Sequence, residues 1–197
     1  AIPLYGRAAL HATPIVWAAL NGFFAIGAGL GAVTAASLSK RSSGLGASTT
    51  AILGAGVISI AIYFLTPYAA GTPEAPLTLG MLVSSSGGRI LVAALVLNAA
   101  LSGVYIAPLQ AAMQRRAPRE VRARIMAAGA FAYAAFAIPG SLSILAITRT
   151  GADPRLAFVG AGIAMLTVAG VMIYRRKTLP AGLYDEMLTA RPHSSAI

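Results

Sequence analysis

The sequence contains no cysteine, which excludes a disulfide framework and a thiolate metal site. Charge is nearly as scarce. Charged residues make up 10% of the 197 positions, against about 25% in an ordinary soluble domain. That is too little polarity to clothe a soluble fold of this size. Acidic residues are the rarest of all, five against fifteen Lys and Arg. Both histidines, His11 and His193, lie near the ends of the chain. An intramembrane proton relay normally needs a buried carboxylate or imidazole, and hydrolysis needs a nucleophile beside a base. Enzymatic activity is therefore not expected, and neither is a cofactor or a metal site.

What remains is apolar. Hydrophobic residues account for 57% of the chain, with 21 glycines among them and the polar positions. The net charge of +10 would suit nucleic acid if it lay along one soluble face. Instead the cations stand between long apolar stretches, so nucleic acid is not an expected partner and membrane lipid is.

The charges divide the chain into regular intervals. Uncharged runs of 32 residues separate Arg7 from Lys40 and Arg41 from Glu74. Runs of 25, 24 and 19 separate Arg89 from Arg115, Arg124 from Arg149 and Arg155 from Arg175. Each can hold the roughly 20 apolar residues that carry a helix across a bilayer core of about 30 Å. The expected fold class is an all-α membrane protein of five transmembrane helices near residues 15–38, 47–66, 89–111, 124–147 and 156–174. A barrel would show short segments of period-2 alternation, and none appears. The long connection from Pro67 to Gly88 includes an apolar stretch, residues 77–83, too short to cross and expected at the interface.

Orientation follows from the cations. Odd-numbered connections and the tail carry eleven Lys and Arg, and the opposite side carries four. Positive-inside bias then places the start of the chain outside and its end in the cytoplasm. Residue 1 is not expected to be a natural start, no signal peptide is expected in the opening stretch, and at least one span is expected upstream. Residues 1–177 read as the transmembrane portion and 178–197 as a cytoplasmic tail.

Several positions inside the spans could carry function. Gly27, Gly29 and Gly31 lie within an apolar helix, where Gly27 and Gly31 form a small-xxx-small face for close helix contact. Asn98, Ser102 and Tyr105 share one side of the third span. Polar groups in lipid are costly, so this stripe should face protein or a water-filled path. Asn21 admits the same two readings, and Tyr133 is a further candidate for a substrate path. Pro108 and Pro139 remove backbone donors and should bend their helices. The densest charge lies in the loop holding Arg115, Arg116, Arg119, Arg122 and Arg124. Cations at a helix N-terminus oppose its dipole, so anchoring to anionic headgroups or gating contacts to neighbouring loops must explain them.

Specific residues also resemble a known family. The glycine-rich first span followed by Ser37-Leu38-Ser39-Lys40-Arg41 resembles the eighth helix and following loop of major facilitator transporters. The stretch Gly103-Val104-Tyr105-Ile106-Ala107-Pro108-Leu109-Gln110-Ala111-Ala112-Met113-Gln114 resembles the bacterial lysophospholipid transporter branch more specifically. Arg115-Arg116-Ala117-Pro118 and Arg122-Ala123-Arg124-Ile125-Met126-Ala127-Ala128 continue that likeness. The resemblance implies twelve helices in two halves, of which this chain would supply helices eight to twelve. It implies movement of lysophospholipid from the outer to the inner leaflet of a bacterial inner membrane. The partners implied are an N-terminal transporter half and, in some members, a cytoplasmic acyltransferase. Gly129-Ala130 stand where the family usually has an asparagine pair. Two other readings stay open at this point: export of amphipathic drugs or metabolites, and a non-transporting anchor for an acyltransferase.

Overall fold

The computed structural model describes residues 9–38, 45–72, 74–118 and 120–178. Six helices form in the order α1 (Pro14–Leu38), α2 (Leu45–Ala69), α3 (Leu79–Ser84), α4 (Ser86–Arg116), α5 (Arg122–Arg149) and α6 (Leu156–Thr178). The only extended pairing among the described residues is an isolated parallel bridge between Ala12 and Leu77. All five expected spans are therefore helical. Four helical stretches are long and apolar enough to cross a membrane, Pro14–Leu38, Ala47–Ala69, Ser86–Gln114 and Leu156–Arg175. The tail from 179 onward lies outside the described residues.

The expected loop from Pro67 to Gly88 is shorter than anticipated. Helix α2 continues through Pro67 to Ala69, and α4 begins at Ser86, before Gly88. Capping side chains account for the new boundaries. Ser85 accepts from the Gly88 amide at 3.0 Å and starts α4, while Thr78 accepts from Met81 and starts α3. Hydroxyls at these positions satisfy amides that the first helical turn leaves without partners. The interfacial stretch 77–83 is thus mostly a single short helix, with Leu82 fully buried beneath it.

Helix α4 is the centre of the bundle. It packs against α1 on one side and α2 on the other, α6 lies against α2, and α5 touches mainly α6. A cluster of Leu10, Val16, Leu20, Ile62, Leu82 and Leu91 forms the main core, with Trp17 and Phe158 packed on it. Those residues come from the start of α1, the end of α2, α3, and the starts of α4 and α6. Successive connections therefore alternate between the two ends of the bundle, as the spacing of the charges requires.

The surface is the reverse of a soluble protein's. Ile26, Leu30, Val33, Val57, Phe64, Ile138 and Val171 are among many large apolar side chains left exposed. Many buried positions are small: Ala35, Ala51, Ala55, Ala99 and Ala169. An exterior of this kind has lipid as its solvent, and association then relies on close packing of small residues.

Candidate functional site

Two glycines on α1 bring its backbone onto that of α4. Gly27 and Gly31 are buried, one turn apart, and Ala35 continues the line. A Cβ at Gly27 would collide with the Val96 carbonyl oxygen and come within 2.9 Å of the Ala99 methyl. At Gly31 it would fall on the Ala100 carbonyl oxygen. Gly103 answers from α4, where a Cβ would meet the backbone of Ala28, Gly31 and Ala32. Gly29 points elsewhere, exposed and with nothing within 4 Å of its missing side chain.

The polar stripe on α4 divides in the structure. Asn98 is buried, 6% exposed, and its Nδ2 donates to Ser59 Oγ on α2 at 3.2 Å. Its Oδ1 is buried with no hydrogen-bond partner. Ser102 turns its hydroxyl back to the Asn98 carbonyl at 2.9 Å, and Tyr105 is half-buried one turn further on. Asn98 is thus part of an interhelical seam. Asn21 is not: it is exposed and donates to the carbonyl of Trp17, one turn earlier in its own helix, at 2.8 Å. Pro108 lies inside α4, which runs past it to Arg116.

The seam extends beyond what the charges and glycines of the sequence suggest. On α2, Ser48, Ile52, Ala55, Ser59, Ile62, Thr66 and Ala69 are all buried. They alternate in steps of four and three, the spacing that keeps one helix face on a partner. Thr66 satisfies its hydroxyl on the Ile62 carbonyl at 2.6 Å. Behind this face, α2 meets α6 through a second pair of glycines. A Cβ at Gly162 would lie 2.7 Å from the Gly56 carbonyl oxygen. The heptad-like run of small and hydroxyl residues is the signal that could have found this contact.

The end of the bundle that holds the main core also carries one ionic cluster. Arg155 pairs with Asp153, donates from Nε to its carboxylate at 2.6 Å, and lies 5.1 Å from the centre of the Tyr63 ring. The Asp153 carboxylate also accepts from the Arg155 amide at 2.9 Å. These donors hold the Asp153 carboxyl below its ordinary value, against a smaller opposing effect of burial. The cluster ties the entry of α6 to α2. At the other end, Arg122 reaches the carbonyl of Ala117 at 3.4 Å and Arg124 is exposed. The side chains of Arg115, Arg116, Tyr133 and Pro139, and all of Arg119, lie outside the described residues.

No group of three or more metal-ligating side chains occurs among the described residues. No family model, curated protein or solved structure matches the chain.

Proposed function

We propose that this chain is part of a membrane transporter of the major facilitator type that moves lysophospholipid between leaflets by alternating access. The observation that carries the transport reading is the pair of glycine crossings, α1 on α4 and α2 on α6. Faces built from backbone and small side chains can slide or rock with little interlocking bulk, as alternating access demands. The polar seam between α2 and α4 supplies interhelical hydrogen bonds inside the apolar bundle. The lipid substrate rests on the likeness of residues 103–128 to lysophospholipid transporters. In this reading α5 is the fifth span, and the core-bearing end of the bundle faces outward, in keeping with the distribution of Lys and Arg. The transport path lies between this half and an N-terminal half, with no ionisable group of these spans driving the motion.

The test is accumulation of labelled lysophosphatidylethanolamine by cells expressing the full-length protein. Uptake above a vector control supports the proposal. Absence of uptake from a correctly inserted protein rejects the lipid assignment, and efflux of an amphipathic dye by the same cells would favour an exporter.

A further inference from the structure

The two non-helical segments at the core-bearing end are joined to each other. The Leu77 amide donates to the His11 carbonyl at 3.0 Å, and the Thr13 amide donates to the Leu77 carbonyl at 3.1 Å. The Gly71 amide donates to the Leu10 carbonyl at 3.0 Å, and the Thr13 hydroxyl reaches the Leu77 carbonyl at 3.3 Å. Trp17 adds its indole N–H to the Ala12 carbonyl at 2.9 Å. The clasp thereby links the entry of α1 to the connection between α2 and α4, across 64 positions of sequence. Beneath it Leu10 and Leu82 are fully buried and Leu77 is 2% exposed.

Nothing of this kind holds the opposite end together among the described residues. Its buried side chains there are small, such as Ala35, Ser48, Ala51 and Ala117. The bundle is tied at one end and lightly packed at the other. The clasp also differs from the helices in how it can fail. Its hydrogen bonds run between segments and not along a helical ladder, so they can part together without unwinding any span. His11 sits at a φ of 47°, a left-handed conformation that a residue with a Cβ adopts at some cost. Opening would release that local strain, which favours a hinge at this position.

We propose that the clasp between residues 10–13 and Gly71 and Leu77 is the outer gate of the bundle, closed in this structure and opened when the path faces outward. The inference rests on the transport reading above. It adds a specific moving part, set apart from the glycine crossings about which the helices would rock.

The absence of cysteine from these 197 residues makes the gate accessible to disulfide chemistry. His11 and Pro76 are both exposed and flank the bridge between Ala12 and Leu77. In the full-length protein, His11→Cys with Pro76→Cys should cross-link under mild oxidation. Lysophospholipid uptake should then fall to the vector level and return with reductant, while the wild type ignores both treatments. Undiminished uptake by protein shown to be cross-linked would overturn the gate. A second variant needs no uptake. Ala69 is 4% exposed within the core under the clasp, and Ala69→Cys changes its volume little. A membrane-impermeant maleimide added outside should label this cysteine in intact cells, because the clasp opens. If it labels only after denaturation, the clasp is static and the proposal fails. Should wild-type uptake be absent, the lipid reading falls, and the Ala69→Cys result still decides whether the clasp moves.

Discussion

Gly31 of α1 stands against Ala100 of α4 so closely that a methyl group in its place would fall on the Ala100 carbonyl oxygen. The obstacle is backbone, which cannot swing aside as a side chain can. Helix α4 would have to retreat along the whole crossing, taking Gly27 and Gly103 out of contact. Gly31→Ala should therefore destabilise the bundle by about 1–3 kcal/mol, as overpacking does in well-filled cores. Gly29, two residues away, has open space beyond it. Gly29→Ala should be neutral, or should gain up to about 1 kcal/mol from the better helix propensity of alanine. Thermal unfolding of the detergent-solubilised variants compares the two directly. Equal effects at both positions would mean that the crossing is looser than the geometry requires.

The seam between α2 and α4 makes a different prediction, because removing one partner is worse than removing both. Ser59→Ala leaves the Asn98 Nδ2 without its acceptor, beside an Oδ1 already lacking a partner. A buried polar group left unsatisfied costs about 1–3 kcal/mol. Adding Asn98→Leu to Ser59→Ala replaces the whole polar pair with apolar surface, and should recover most of the loss. A double-mutant cycle on unfolding free energy reads this as a positive coupling between the two sites. If the two changes simply add, the hydrogen bond contributes nothing and Asn98 is free to serve another role.

How much of this was legible in the sequence differs between elements. The helices followed from the uncharged intervals, because the bilayer thickness fixes the length that an apolar run must have. The small face of Gly27 and Gly31 was legible because glycine spacing is local information. Gly29 was grouped with them on composition alone, and the helical repeat turns it away. Asn98 was visible as a polar residue, but its partner was not. Ser59 lies 39 positions away, and no local pattern announces which helix will face which. The clasp was missed for the same reason, since a hydrogen bond between His11 and Leu77 depends on how two distant connections meet. Pro67 was read as a helix end, yet the last turn of α2 absorbs it and the helix continues to Ala69.

Alternating ends place His11 and Glu120 at opposite sides of the bundle, and the distribution of cations says which side is which. Eleven Lys and Arg sit with Glu120 and the tail, and four with His11. Positively charged connections are retained on the cytoplasmic side. A cysteine replacing His11 should therefore react with an impermeant thiol reagent in intact cells. One replacing Glu120 should react only after the membrane is permeabilised. Both positions are exposed, so poor reactivity would not come from burial. The reverse pattern of labelling would invert the topology and move the clasp to the cytoplasmic side.

Asp153 supplies a pH-dependent hold on the entry of α6. Hydrogen bonds from the Arg155 guanidinium lower its pKa from an ordinary value of 3.8, with smaller help from the Arg155 amide and charge. A carboxylate whose folded pKa is depressed stabilises the fold wherever it is ionised in both states, so its contribution is complete above that ordinary value. It is lost as the pH falls further and the native carboxylate takes up its proton. Arg155 then loses its anion and remains held only by the Tyr63 ring, a contact worth about 0.5–1 kcal/mol at an exposed site. Hydrogen exchange at the amides of residues 150–157 should therefore accelerate as the pH is lowered from 5 towards and below 3.8, after correction for intrinsic rates. Asp153→Asn cannot ionise, so it should exchange faster at neutral pH and show no such acceleration. If the wild type and the variant exchange alike throughout, the ion pair does not hold the loop. The attachment of α6 would then rest on Phe158 in the core and on the Gly56–Gly162 crossing alone.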